Sequence, residues 1–99
     1  MEITILQENG ATIVNIIGRL DTVTSSELDV AVKPLIVMGA TVIFDCEKME
    51  YVSSSGLRVV LSTFKQLTAV GGRFVVRNLN KEVRSVFDLT GFSRLLNIE

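Results

Sequence analysis

The chain opens with two short β-branched runs, Ile3-Thr4-Ile5-Leu6 and Thr12-Ile13-Val14-Asn15-Ile16-Ile17, flanking Glu8-Asn9-Gly10. Asn-Gly between two such runs is the strongest short-range signal for a β-hairpin. The period then changes. Leu28, Ala31, Val32 and Leu35 recur at i, i+3, i+4 and i+7, the stripe of a helix with one face on a core. Thr24 and Glu27 just ahead of it have the spacing of a capping box, which predicts the helix start at Thr24. Pro34 is expected to kink this helix, because it offers no N–H to the carbonyl of Val30, and Gly39 to end it.

Thr41-Val42-Ile43-Phe44-Asp45-Cys46 is a nearly unbroken apolar run closed by a carboxylate, the pattern of a strand buried on both faces. A short loop leads to Ser53-Ser54-Ser55-Gly56. A second helical stripe follows in Leu57, Val60, Leu61, Phe64 and Leu67, stopped by Gly71-Gly72. Arg73 to Arg77 reads as a strand, and Asn80 as the cap of a third helix carrying Val83, Val86 and Phe87. Gly91 is placed to stop that helix, and residues 93–98 read as a last strand. The predicted order is β-β-α-β-α-β-α-β. Strands alternating with helices pair in parallel through right-handed crossovers, whereas the hairpin pair must be antiparallel. The expected fold class is α/β: a mixed, mostly parallel sheet with an N-terminal β-hairpin and helices mainly on one face.

Composition narrows the function more than the fold. The 99 residues are the size of one domain, and 47% are hydrophobic, ample for a core. Ten Lys and Arg against eleven Asp and Glu leave a net charge of −1, which argues against a nucleic-acid binder. There is no histidine, so Ser-His-Asp and Cys-His sites and imidazole zinc sites are excluded. No nucleophile–base pair is evident, and no catalytic residue, metal or cofactor is expected. The single cysteine, Cys46, allows no intrachain disulfide and reads as a small buried apolar residue. The N-terminus lacks the basic start and apolar stretch of a signal peptide, and no run approaches the ~18 apolar residues of a membrane span. A cytoplasmic location without membrane insertion is expected.

Chemistry can gather where two loops meet at the C-terminal ends of parallel strands. One loop carries Asp21, Thr22 and Thr24; the other follows the Asp45 strand and carries Ser53, Ser54 and Ser55 at a helix start. Unpaired N–H groups and the helix dipole there favour an anion by roughly 0.3–1 kcal/mol. Serines before a helix are equally the commonest N-caps, with Gly56 letting the turn form. Asp45 is read as a solvated or turn-capping carboxylate, and the arginines as solvated faces.

Three segments together give a family resemblance over the whole chain, read as one domain of residues 1–99. Gly18-Arg19-Leu20-Asp21 with its Thr/Ser-rich helix start is the first. Val42-Ile43-Phe44-Asp45 followed by Val52-Ser53-Ser54-Ser55-Gly56-Leu57 is the second, and Gly71-Gly72-Arg73-Phe74 with Val86 to Phe92 the third. In this order they resemble the STAS domain, the module of sulfate transporters and anti-sigma factor antagonists. The resemblance implies the STAS-like fold and a regulatory binding protein rather than an enzyme.

In antagonists of this family, the first Ser of an Asp-Ser-Ser/Thr-Gly-Leu motif is phosphorylated by a serine kinase that is itself the anti-sigma factor. A metal-dependent serine phosphatase reverses the modification. Only the unphosphorylated antagonist binds the anti-sigma factor and frees the sigma factor. The resemblance places that phosphorylation at Ser54, with Ser55 as the secondary position. Asp21, Thr22, Ser53, Ser55 and Gly56 are then the neighbours of the phosphosite or its partner contacts. This chain departs from the motif at Ser53, where the family has Asp. The departure is in keeping with an alternative STAS function, a scaffold or transport-complex subunit that is never phosphorylated.

Overall fold

In a computed structural model describing residues 1–99, Asn9 and Gly10 both adopt positive φ, 52° and 80°. That is the backbone of a two-residue type I′ turn, which joins β1 (Glu2–Glu8) to β2 (Ala11–Leu20) as an antiparallel pair. The elements that follow are α1 (Thr24–Val32), β3 (Thr41–Asp45), β4 (Met49–Val52), α2 (Ser54–Ala69), β5 (Arg73–Arg77), α3 (Lys81–Leu89), α4 (Phe92–Leu95) and β6 (Asn97–Ile98). The strand order is β1-β2-β3-β5-β6, with every pair after the hairpin parallel, and β4 pairs with the end of β2. The mixed, mostly parallel sheet expected from the sequence is observed.

One face of the sheet carries the helices. Val14 and Ile16 of β2, Val42 and Phe44 of β3 and Val76 of β5 are buried in one core with residues of all three long helices. Leu28 and Val32 come from α1, Leu57, Val60 and Leu67 from α2, and Val83 and Phe87 from α3. Phe44 meets Phe74 edge to face, with ring centroids 4.8 Å apart. The expectation that β3 is buried on both faces is corrected: Val42 and Phe44 are buried, whereas Thr41, Ile43 and Asp45 on the helix-free face are only half-covered. Three segments also depart from their predicted structure. Helix α1 ends at Val32 and passes into a single 3-10 turn, Lys33–Leu35, so Pro34 terminates the helix instead of kinking it and Gly39 lies in a later turn. The loop expected between Asp45 and Ser53 contains β4. The strand expected over residues 93–98 is the helical turn α4 followed by only two strand residues, because Phe92 folds back to place its ring edge-on to Phe87.

Parallel register sets Asp45 beside Arg77. The Asp45 carboxylate, 11% exposed, accepts from Arg77 Nε at 3.1 Å, from Asn78 Nδ2 at 3.2 Å and from the Glu47 N–H at 3.1 Å. Arg77 is thus an ion-pair member rather than part of a solvated face. Burial pushes the Asp45 carboxyl upward, but the hydrogen bonds and the Arg77 charge outweigh it and hold the group below the usual carboxylate range. Because it titrates lower folded than unfolded, its stabilisation is complete above the unfolded value near 4 and is lost as pH falls through the folded value. Asp45→Asn is expected to cost about 1.5 kcal/mol at neutral pH. Urea titrations below about pH 4 should show a shallower loss of stability in this variant than in wild type. Cys46 beside it is buried, and burial, with the Asp45 charge adding to it, pushes the thiol up to about 12, the state of an inert core residue.

Candidate functional site

Register at the end of β2 brings the two loops together. β2 pairs with β3 through Asn15, shifts at a bulge between Gly18 and Arg19, and then pairs Arg19 with Tyr51 and Leu20 with Val52 of β4. The bulge is tied to the β3–β4 loop by the Gly18 N–H, which donates to the Lys48 carbonyl. One residue beyond the β2–β4 pairing, the Ser53 N–H donates to the Leu20 carbonyl at 2.8 Å. Asp21 and Ser54 are the residues that follow this bonded pair in their two chains. The serine loop therefore follows β4, not the Asp45 strand directly as expected.

Each loop is closed by its own cap. Ser53 is extended (φ −93°, ψ 173°), and its Oγ accepts from the Gly56 N–H at 3.2 Å, so Ser53 is the N-cap of α2. The acceptor that an Asp would supply at this position is retained; only the charge is missing. On the other loop, Asp21 Oδ1 accepts from the N–H groups of Val23 and Thr24, both at 3.0 Å. Thr24 Oγ1 in turn accepts from the Asp21 N–H at 2.8 Å and donates to the Arg19 carbonyl. This is the reciprocal bonding of a capping box, displaced three residues upstream of the predicted Thr24–Glu27 pair. The Asp21 carbonyl accepts the first helical bond from Ser25. Glu27 is exposed and has no part in the cap. The Thr24 N–H foremost, with smaller help from its hydroxyl and from Val23, holds the Asp21 carboxyl below its usual range against the opposing effect of desolvation.

Gly56 shows why the loops can approach so closely. A Cβ placed there would lie 2.8 Å from Leu20 Cγ and 3.0 Å from the Leu20 carbonyl oxygen. Above this contact the surface divides by role. Ser54, the first residue of α2, is exposed, Ser55 is half-buried, and Gly56 is buried. Thr22 is exposed, and its carbonyl accepts from the buried Ser25 hydroxyl at 3.1 Å. No side-chain hydrogen bond joins Asp21 or Thr22 to the three serines, because the Asp21 carboxylate is spent within its own loop. Sequence reasoning missed two neighbours. Arg19 lies over the Tyr51 ring at 4.1 Å, and Val23 is 75% exposed beside Asp21. The stack could not be anticipated without β4, which supplies Tyr51.

The comparison with protein families decides the kinship: residues 2–99 match the STAS domain family. This chain belongs to the STAS domain family. Among relatives of the STAS domain described here is the anti-sigma-B factor antagonist of Bacillus subtilis (strain 168). The two are 32% identical over 85 residues, which cover 86% of this chain and 78% of that protein. The structure of the anti-sigma factor antagonist SpoIIAA in its unphosphorylated form is similar, with a TM-score of 0.76 and 23% identity over 99% of this chain and 87% of that one. The Bacillus cell fate determinant SpoIIAA in its phosphorylated form matches with a TM-score of 0.75 and 23% identity, covering 99% of this chain and 91% of that one. At that identity the likeness establishes the shared fold. No helix of this STAS domain is long and apolar enough to cross a membrane.

Proposed function

We propose that this STAS domain is an anti-sigma factor antagonist that binds an anti-sigma factor of the serine kinase type, and that phosphorylation of Ser54 ends the binding. The observation that carries this reading is the placement of Ser54: an exposed hydroxyl at the first residue of α2, capped by Ser53 and held beside the Asp21 loop by the Ser53–Leu20 hydrogen bond. The Bacillus subtilis relative, named an anti-sigma-B factor antagonist, supports it. SpoIIAA, a structural neighbour, has been solved both with and without its phosphate. In this reading Asp21, Thr22, Ser53, Ser55 and Gly56 shape the surface presented with Ser54. The domain has a binding rather than a catalytic role, and a metal-dependent serine phosphatase restores the free hydroxyl.

Ser53 in place of the family's Asp is compatible with this reading. Its hydroxyl already caps α2, so the loop stays ordered without the family's Asp. The expected result is one phosphate added on incubation with ATP and the cognate kinase, seen by intact-mass measurement. Ser54→Ala should abolish it. A phosphate that persists in Ser54→Ala would refute the assignment.

A further inference from the structure

We infer that Arg58 receives the phosphate when Ser54 is phosphorylated, forming an ion pair one turn along the solvent face of α2. The inference rests on the Ser54 reading above and adds to it the residue that holds the modified side chain. Ser54 and Arg58 are both exposed and four residues apart on one helix, with Gly56 and Leu57 between them turned into the core. Residues at that spacing have Cβ atoms about 5–6 Å apart on a helix surface. The sense is also the favourable one, because the anion lies N-terminal to the cation.

The charges around this pair leave Arg58 free for the phosphate. None of the 16 residues of α2 is acidic; its only charges are Arg58 and Lys65. The ion pairs of the molecule are Lys33–Asp29 and Arg77–Asp45, and Arg58 takes part in neither of them nor in any side-chain hydrogen bond. Two other cations come into consideration. Lys65 is eleven residues along α2, about 16 Å at 1.5 Å per residue. Arg19 is stacked on Tyr51. A guanidinium also presents a planar fork of donors that matches two phosphate oxygens, which a lysine does not. Phosphorylation would therefore add a bond within the domain, so that the modified form is the more stable one.

The test uses the whole chain with phosphoserine installed genetically at position 54, so that no kinase is needed. The readouts are phosphorus NMR titration and thermal melting of wild type, Arg58→Gln and Arg58→Lys, each with and without the phosphate. In wild type the second ionisation of the phosphoserine, near 6 in isolation, should fall by about 0.2–0.4 of a unit relative to Arg58→Gln. Phosphorylation should raise the wild-type Tm by about 1–4 °C more than that of Arg58→Gln, with Arg58→Lys between them. The helix N-terminus is the same in all three proteins, so the difference reports the side chain alone. Equal phosphoserine titration and equal Tm changes in wild type and Arg58→Gln would overturn the inference. A kinase that never modifies Ser54, alongside a clear Arg58-dependent shift, would refute the switch while leaving the pairing intact.

Discussion

Phosphorylation of Ser54 is expected to weaken binding to the anti-sigma partner by 10²–10³-fold, about 2.7–4.1 kcal/mol. The modification adds about −1.5 to −2 charges to an exposed hydroxyl at the centre of the proposed contact. Around it the exposed Val23 and the Arg19–Tyr51 stack offer apolar area and a fixed cation. In the complex the new charge would have to leave water, and an uncompensated buried ion costs several kcal/mol. Within the free domain the same phosphate costs nothing comparable, because a helix N-terminus favours an anion. The change is thus concentrated in the interface and leaves the fold intact. Titration calorimetry of phosphorylated and unphosphorylated protein against the purified partner measures the ratio, and circular dichroism of both forms checks the fold. Affinities within threefold of each other would sink the switch. So would a melted phosphoprotein, since the loss of binding would then be trivial.

Most of the scaffold behind that surface was legible in the sequence, for physical reasons that differ by element. Asn9-Gly10 could be recognised because few residue pairs tolerate two successive positive φ values. Helix α2 was legible because Leu57, Val60 and Leu67 must all reach one core, and a 16-residue helix repeats that demand over several turns. Strand β4 escaped because only Met49 and Val52 of its four residues are buried, too few to declare a period of two. The bulge at Gly18 that lets β2 leave β3 for β4 is a property of the paired sheet and is written in neither strand alone.

The site shows the same division. Ser53 could be singled out because a capped helix start restricts residue type, whereas Ser54 followed from the family resemblance, and Gly56, read as letting a turn form, lies within α2 and is constrained instead by its close approach to Leu20. The cap of α1 was misassigned because Thr24 and Glu27 satisfy the spacing of a capping box as well as Asp21 and Thr24 satisfy its geometry. What separates the two is where β2 ends, and that depends on its pairing with β4. Arg19 was read as solvated for the same reason: its partner ring belongs to the strand that local periodicity could not reveal.

Leu20→Ala is expected to cost about 2–5 kcal/mol, lowering Tm by at least about 8 °C. Leu20 is fully buried at the end of β2 and contributes to the core shared by α1 and α2. It also forms the floor under Gly56, which gives the substitution a second, more specific consequence. Gly56→Ala alone should cost about 1–3 kcal/mol, since its new methyl would lie 2.8 Å from Leu20 Cγ and overpack a closed contact. In the double variant the cavity left by Leu20 receives that methyl, so the combined cost should fall short of the sum by at least about 0.5 kcal/mol. The Leu20 carbonyl, 3.0 Å from the same position, is backbone and does not retreat, so the rescue is expected to be partial. Urea unfolding of the wild type, both single variants and the double variant completes the cycle. Strict additivity would show that the approach of the serine loop to β2 is not set by this side chain. Coupling of the expected sign would tie the position of Ser54 to the packing of Leu20, because the same residue supplies both the steric floor and the carbonyl that Ser53 uses.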